Sequence, residues 1–262
     1  MFAPDAIKQL VAPLADERVG GVAGDQRYQK HTGTVDSGGG ERAYWNLDRA
    51  LKRWESAAGD VISATGAIYA IRRRLFLAVP DGVTDDFITS VRVIQQGHRL
   101  VFAEQAAAYE PVAASQGKEF GRKVRVMTRG LRGVMMVRDL LNPFRYGFYS
   151  LQLFSHKVLR RLMVIPLMLL FVANGILASH SPVYAILFGA QVLFYLMAVV
   201  GLSLSFVSPG PALRGPLKLA VLPAYFCVVN AAALVAFFNT LRGRRIHLWE
   251  PQRAVEMAGS KA

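Results

Sequence analysis

Over residues 1–117, short apolar runs alternate with amphipathic stretches, and this pattern predicts a mixed α/β fold. Residues 18–24 and 99–104 are apolar runs of the length and composition typical of buried strands. Residues 43–56 and 85–97 carry apolar positions at helical spacing, and a glycine closes the second of these helices. The first half of the chain therefore predicts an α/β domain.

The segments between these elements give weaker signals. Residues 1–11 predict a helix, since Pro4 stands in its first turn and apolar positions follow. Residues 60–76 predict two strands joined by a turn at Gly66, then the start of a basic helix. Residues 31–42 predict a glycine-rich loop that matches neither a P-loop nor a dinucleotide fingerprint, so no phosphate-binding role is assigned to it.

Residues 118–161 form a basic, amphipathic region of a different character. Its first part repeats apolar residues at steps of three and four, and most basic residues lie off this stripe. The stripe consists of Phe120, Val124, Met127, Leu131, Val134, Val137 and Leu141. A helix lying in the membrane interface is the favoured interpretation. The alternative is a core-facing helix with a solvated basic face.

Residues 162–241 contain apolar stretches of the length that crosses a bilayer, about 20 residues each. The three stretches are 162–179, 183–206 and 218–241. Pro166 and Asn174 weaken the first, which is also the shortest. The sequence therefore predicts about three transmembrane helices, followed by a basic tail at 242–262.

The formal net charge is +13, and its distribution favours a membrane partner over nucleic acid. Eleven basic residues and only two acidic ones lie between Lys118 and Arg161, directly before the apolar stretches. Positive charge beside a span marks the cytoplasmic side of a membrane. Three full crossings would place the basic tail on the opposite side, so one stretch is expected to be re-entrant or interfacial.

Cysteine and histidine give no sign of a metal or redox site. Cys227 is the single cysteine and lies in an apolar run, where a small buried side chain is the simplest interpretation. The five histidines are scattered without ligand spacing, so no metal site built from protein side chains alone is predicted.

Two adjacent carboxylates, Asp85 and Asp86, begin the helix predicted at 85–97. Acids in the first turn of a helix are stabilised by its dipole, so both are explained as helix-start charges. The alternative is chemical: two neighbouring carboxylates repel each other and raise at least one pKa, which suits a general base. The local sequence leaves both interpretations open.

Five segments resemble, in order, landmarks of membrane-bound family 2 glycosyltransferases of the cellulose-synthase, hyaluronan-synthase and chitin-oligosaccharide-synthase type. They are GDVISATGAIYAIRRRLF, VPDGVTDDFITSVRVIQQGHRLVFAEQAAAYEP, EFGRKVRVMTRGLRG, LNPFRYG and SHKVLRRL. The resemblance covers almost the whole chain. It implies a GT-A-type domain followed by interfacial and transmembrane helices, in a multi-pass inner-membrane protein with its soluble part in the cytoplasm.

The resemblance also implies the reaction. An acceptor hydroxyl attacks the anomeric carbon of a nucleotide sugar, the nucleotide diphosphate leaves, and the configuration inverts. The family's Thr-Glu-Asp motif, whose Asp is the base, corresponds here to Thr84, Asp85 and Asp86, with Asp85 in place of Glu. Gly66 corresponds to the small residue at which the backbone approaches the acceptor. The substrates implied are a nucleotide-sugar donor and a glycan or lipid-linked acceptor.

The chain departs from the family at the interfacial helix. Processive members carry Gln-x-x-Arg-Trp there, and this sequence has Lys123, Val126 and Met127 at those positions. Lys123, Arg125 and Arg129 are the candidate contacts to a diphosphate. Transfer of one or a few sugars is therefore expected rather than the synthesis of a long polymer.

A second departure concerns the donor. The complete enzyme is expected to use a divalent cation, Mg²⁺ or Mn²⁺, held by an Asp-x-Asp motif, and this sequence contains no such motif. The opening residues resemble the segment that follows that motif, so residues 1–117 are expected to be the acceptor half of a truncated or split GT-A-type domain. A separately encoded N-terminal half is an expected partner, and little activity is expected of the chain alone. The competing hypothesis is a non-catalytic membrane remnant or a partner subunit of a complete enzyme.

Overall fold

A computed structural model describes residues 1–29, 38–111, 119–207 and 218–244. The N-terminal part contains α1 (Ala6–Val11), β1 (Val19–Gln29), α2 (Gly38–Ala58), β2 (Tyr69–Ile71), α3 (Asp85–Gln95) and β3 (Arg99–Pro111). The C-terminal part contains α4 (Glu119–Met136), α5 (Pro143–Tyr146), α6 (Phe148–Leu153), a π-helical turn (Phe154–Leu159), α7 (Arg160–Leu162), α8 (Val164–Leu177), α9 (Pro182–Val207) and α10 (Lys218–Leu241).

The predicted mixed α/β fold is confirmed, with one strand misplaced. Residues 60–64 form no strand in the structure, and only Tyr69–Ile71 pairs in the sheet, followed by a 3₁₀ turn at Arg73–Leu75. Val61 and Ala64 of the run 60–64 are buried in the core, which explains its apolar residues. Apolar content alone does not distinguish a strand from a buried loop. Within the predicted loop 31–42, residues 31–37 lie outside the described residues and α2 already begins at Gly38.

The sheet has three strands in the order β2–β1–β3. β1 pairs antiparallel with β2, where Val22 lies opposite Ala70, and parallel with β3, where it lies opposite Val101. Alternate residues face opposite sides of the sheet. Val22 packs with Leu10 of α1 on one side, and Leu100 packs with α3 on the other. This second side holds the larger core and carries the site described below.

Helix α4 packs its apolar stripe against protein. Val124, Leu131, Val134 and Val137 are buried, and the last two share a core with Phe87 of α3. A Cβ at Gly133 would lie 2.9 Å from a Phe87 ring carbon, so the glycine permits this close packing. Most of the stripe thus packs against protein, whereas Phe120 at its start is exposed, and the position of this region at a membrane interface stays a prediction.

The segment that follows α4 is also fixed to the α/β part. Tyr149 of α6 is buried, and its hydroxyl donates a hydrogen bond to the carbonyl of Ile62 at 2.9 Å. Leu153 belongs to the same core as Phe87. α6 and the turn after it are therefore held beside the first turn of α3.

Two helices in the described residues are long and apolar enough to cross a membrane, Pro182–Leu204 and Leu219–Leu241. A third span exists only if Phe148–Leu162 and Val164–Leu177, bent by 55°, count as one. The stretch predicted at 162–179 forms a helix of 14 residues, shorter than the roughly 20 that a span needs. The prediction of about three transmembrane helices is therefore supported for two.

Helices α9 and α10 form an antiparallel hairpin. Gly201, near the end of α9, lies against the carbonyl of Ala220 at the start of α10. Helix α4 packs against α10: the Lys123 ammonium lies over the Tyr225 ring, and Arg132 donates to the carbonyl of Gly243 just after α10. In the most apolar stretch of α10, 33% is buried inside the protein, whereas only 11% of the corresponding stretch of α9 is buried. α9 therefore exposes the larger apolar surface.

Candidate active site

A cavity of about 330 Å³ opens at the N-terminal end of α3. Most of its walls come from α2, the loop before Gly66, the start of α3, and the segment from His156 to Arg161. Val126 and Gly130 of α4 close one side. The cavity therefore lies where the α/β part meets the basic segment that precedes the apolar helices.

The two adjacent acids differ in burial and in access to the cavity. Asp85 is exposed and does not line the cavity, whereas Asp86 is half-buried and lines it. Burial is the main cause that raises the pKa of Asp86, and the charge of Asp85 raises it further. The backbone N–H of Phe87 donates to Asp86 Oδ1 at 2.7 Å, which with the charge of Lys157 limits the rise. Asp86 thus combines access to a cavity with a raised pKa.

Gly66 lies directly against this carboxylate. A Cβ at Gly66 would be 3.4 Å from Asp86 Oδ2, and the glycine backbone N–H contributes a hydrogen bond that lowers the pKa of Asp86. Thr84 precedes the helix, lines the cavity, and makes no capping hydrogen bond with its side chain. The structure therefore brings Thr84, Gly66 and Asp86 together.

The three cations predicted to contact a diphosphate lie elsewhere. Lys123, Arg125 and Arg129 do not line the cavity. Lys123 places its ammonium 5.0 Å from the centre of the Tyr225 ring in α10. Arg129 donates from Nε to the carbonyl of Val83 at 2.9 Å, and its Nη2 binds the same oxygen. Arg129 therefore holds the backbone in front of Thr84.

Besides Lys52 of α2, four basic side chains of one segment line the cavity, and sequence reasoning gave them no role: His156, Lys157, Arg160 and Arg161. It counted Lys157, Arg160 and Arg161 in the basic region before the membrane, and it quoted their segment as a landmark of the family resemblance. The available signal was their density, four basic side chains within six residues of the segment SHKVLRRL. The π-helical turn Phe154–Leu159, which carries two of them, was not predicted.

Lys157 and Arg161 are half-buried, beside Phe87 and Gly130 respectively. The Lys157 ammonium lies 5.2 Å from the centre of the Phe87 ring, and burial, then the charge of Arg161, lowers the pKa of Lys157 to about 8. Arg161 rests against Gly130, where a Cβ would lie 2.6 Å from Nη2, and donates from Nη1 to the Lys157 carbonyl at 2.8 Å. Burial lowers the pKa of Arg161 to about 10.

The basic side chains of this cluster form no ion pairs with carboxylates of the described residues. Across the described ranges, no carboxylate forms an ion pair with Lys157, Arg160 or Arg161. Thr65, on the same cavity wall, has a buried hydroxyl without a hydrogen-bond partner. Half-buried cations that form no ion pair, together with an unused hydroxyl, suit an anionic ligand.

The acids of the cavity do not form a divalent-cation site. Asp48 is paired with Lys52 at 2.7 Å, and Glu55 accepts the backbone N–H of Ile62 at 3.5 Å. In the part of the chain that the structure describes, no group of three or more His, Cys, Asp or Glu side chains is placed to hold a metal ion. The cavity residues therefore do not fit the metal that the resemblance implied.

Two comparisons with known proteins agree on the fold. Residues 1–133 match the sequence profile described as Glycosyltransferase like family 2. The mannosyltransferase PcManGT from Pyrobaculum calidifontis, solved in complex with GDP-Man and Mn²⁺, shares 17% identity with a TM-score of 0.56. The alignment covers 92% of this chain and 59% of the length of the mannosyltransferase chain. No curated protein matches the sequence. The likeness shows a GT-A-like fold.

Proposed function

The chain belongs to the Glycosyltransferase like family 2, and we propose that it provides the acceptor site of an inverting membrane glycosyltransferase. The reaction transfers a sugar from a nucleotide-sugar donor to a glycan or lipid-linked acceptor. The observation that carries this proposal is Asp86, a carboxylate with a raised pKa on the wall of a cavity that also holds unpaired cations.

In this proposal Asp86 removes the proton from the acceptor hydroxyl. Oδ1 accepts the Phe87 N–H, and we propose that Oδ2, beside Gly66, takes the proton. The freed acceptor oxygen attacks the anomeric carbon as the bond to the nucleotide diphosphate breaks, so the configuration inverts. A raised pKa makes Asp86 a stronger base once it is ionised, which favours proton transfer in the transition state.

The remaining cavity residues have supporting roles. Gly66 leaves room for the acceptor beside the base, because any side chain there would approach Oδ2. Asp85 acts through its charge, which raises the pKa of Asp86. The cations of the segment 156–161 suit a substrate that carries phosphate. Lys123 and Arg125 remain proposed diphosphate contacts, whereas Arg129 is proposed to position the motif.

We further propose that the α9–α10 hairpin anchors the protein in the inner membrane with the cavity in the cytoplasm. Two crossings return the chain to its starting side, and Arg132 of α4 donates to the carbonyls of Gly243 and Arg244 just after α10. The basic residues before α8 and after α10 then share one side of the membrane, as the distribution of charge requires. This arrangement removes the conflict that three full crossings would create.

Sugar transfer in membranes tests the proposal. The chain is expressed from its own locus, so that any companion protein is present, and membranes are supplied with a panel of nucleotide sugars while nucleotide diphosphate release is measured. Asp86→Asn is expected to lower release by about 10² to 10⁴-fold, as loss of a general base does. Asp85→Asn is the matched control and is expected to retain most activity.

Two outcomes would contradict the assignment. If Asp86→Asn releases diphosphate as fast as the parent, both acids are helix-start charges. If the parent releases none with any donor, a non-catalytic membrane protein or partner subunit becomes the better explanation.

A further inference from the structure

The chain passes from the charged cavity to an apolar groove across the bend between Phe148–Leu162 and Val164–Leu177. Lys157 and Arg161 line the cavity, while Val164, Met168 and Phe171 line a second, apolar space of about 350 Å³. These five residues follow one another along the chain, and the 55° bend lies between Arg161 and Val164. The chain thus joins the two spaces directly.

The groove lies between α8, α9 and α10, the three apolar helices. Its walls are aliphatic and aromatic, and Phe171 meets Tyr195 edge to face at a centroid distance of 5.4 Å. The amide of Asn230, which also borders the groove, donates to the Phe226 carbonyl at 2.9 Å within its own helix. The groove therefore suits a hydrocarbon chain.

The basic residues of the cavity and the apolar residues of the groove are close together along the chain. Arg161 and Val164 are three residues apart, on either side of the bend. A molecule with a phosphate at one end and a hydrocarbon chain at the other can therefore reach both. A free glycan has no hydrocarbon chain to place in the groove. A neutral lipid has no negative charge to bind the cations.

We propose that the acceptor is a phosphorylated lipid. Its phosphate binds Lys157 and Arg161, and the first part of its hydrocarbon chain lies in the groove. This inference rests on the proposed glycosyl transfer and specifies its acceptor. Because Asp86 and Lys157 line one cavity, a sugar attached to that phosphate is brought to the base. The buried hydroxyl of Thr65 offers the phosphate a further donor.

Cys227 makes the groove measurable without any sugar transfer. It is the single cysteine of the chain, half-buried, and it lines the groove. The full chain in detergent micelles is treated with N-ethylmaleimide, and the rate at which Cys227 is modified is followed by mass spectrometry. The rate is measured with farnesyl phosphate, with farnesol, which has the same tail without phosphate, and with inorganic pyrophosphate, which has no tail.

Farnesyl phosphate is expected to slow modification by roughly tenfold at about ten times its Kd, since the unoccupied fraction falls by that factor. Farnesol and pyrophosphate at the same concentration are expected to leave the rate nearly unchanged. The double variant Lys157→Gln, Arg161→Gln is expected to need about ten times more farnesyl phosphate for the same protection. Lys8→Gln, which removes an exposed cation on α1, is the matched control.

Three results would overturn the inference. Equal protection by farnesol and farnesyl phosphate would show a groove that takes any apolar molecule. Protection by pyrophosphate alone would show a site for a free diphosphate. No protection by farnesyl phosphate would exclude the groove as its binding site. Because no donor sugar is present, failure here leaves the test of sugar transfer at Asp86 unaffected, and the two proposals fail separately.

Discussion

Arg129 of α4 and Val83, which precedes α3, are joined by two hydrogen bonds from one guanidinium to one carbonyl oxygen. Val83 is fully buried and lies three residues before Asp86. The guanidinium satisfies a backbone carbonyl that lies outside any helix ladder, and it does so from a helix that packs on the same core. Arg129 therefore fixes the start of α3 and, with it, the direction of the Asp86 carboxylate.

Replacing Arg129 with glutamine is expected to lower the free energy of unfolding by about 1–3 kcal/mol, the usual cost of leaving a buried carbonyl unpaired. Diphosphate release is expected to fall as well, because the first turn of α3 loses its anchor. Urea unfolding and transfer assays check the two effects. Arg122→Gln, at an exposed position of the same helix, serves as the control. An equal loss in the control would show that helix charge, rather than the contact with Val83, is responsible.

The pH dependence of phosphate binding is expected to follow Lys157. Its pKa of about 8 means that the free protein loses this charge as pH rises through 8. Arg161, Arg160 and Lys52 disfavour the charge and Asp86 favours it. kcat/KM, which reports the free enzyme, is therefore expected to fall above pH 8. Lys157→Arg keeps the charge and is expected to move this alkaline limb upward.

Stability is expected to change in the opposite direction over the same range. The unfolded chain keeps Lys157 protonated up to its ordinary pKa near 10.5, whereas the folded protein releases the proton near 8. Between these values the unfolded state binds more protons, so stability rises with pH. A fall in both affinity and stability above pH 8 would point to general unfolding and would count against the role of Lys157.

The sequence predicted the parts of the site that depend on local pattern. Asp85 and Asp86 were placed at a helix start because a turn precedes them and an apolar period follows, and α3 begins at Asp85. The sequence did not distinguish the two acids. Their difference in burial arises from the loop before Gly66 and from Lys157, which are far away in the chain and reach Asp86 only through tertiary packing.

The cation assignments show the limit of reasoning from spacing alone. Arg129 is near the motif position in sequence, but its side chain turns to the backbone of Val83. Lys157 and Arg161 reach the cavity because Tyr149 and Leu153 pin the preceding helix to the core. A helical pattern gives the period of a segment, and it does not show which neighbouring element the charged face meets.

Replacing Gly130 with alanine is expected to weaken phosphate binding without loss of stability. The new Cβ would lie 2.6 Å from Arg161 Nη2, so the guanidinium must move away from its place on the cavity wall. Alanine in a helix interior is favoured over glycine by roughly 0.5–1 kcal/mol, which offsets the cost of the displaced side chain. Thermal unfolding and the Cys227 protection assay measure the two quantities. Unchanged protection by farnesyl phosphate would mean that Arg161 does not hold the phosphate.

The packing of the α9–α10 hairpin is tested by a pair of glycines on α9. A Cβ at Gly201 would meet the backbone carbonyl of Ala220, which cannot move as a side chain can, whereas Gly189 has open space around it. Gly201→Val is expected to destabilise the hairpin by about 1–3 kcal/mol, the usual cost of forcing extra atoms into a packed contact. Gly189→Val adds the same side chain to the same helix, and it is expected to have little effect.

Thermal unfolding in detergent distinguishes the two variants, and the proposed groove adds a second readout. Because the groove is built from α8, α9 and α10, separation of the hairpin in Gly201→Val is expected to speed the modification of Cys227. If both variants unfold at the same temperature, α9 and α10 are not held by this contact.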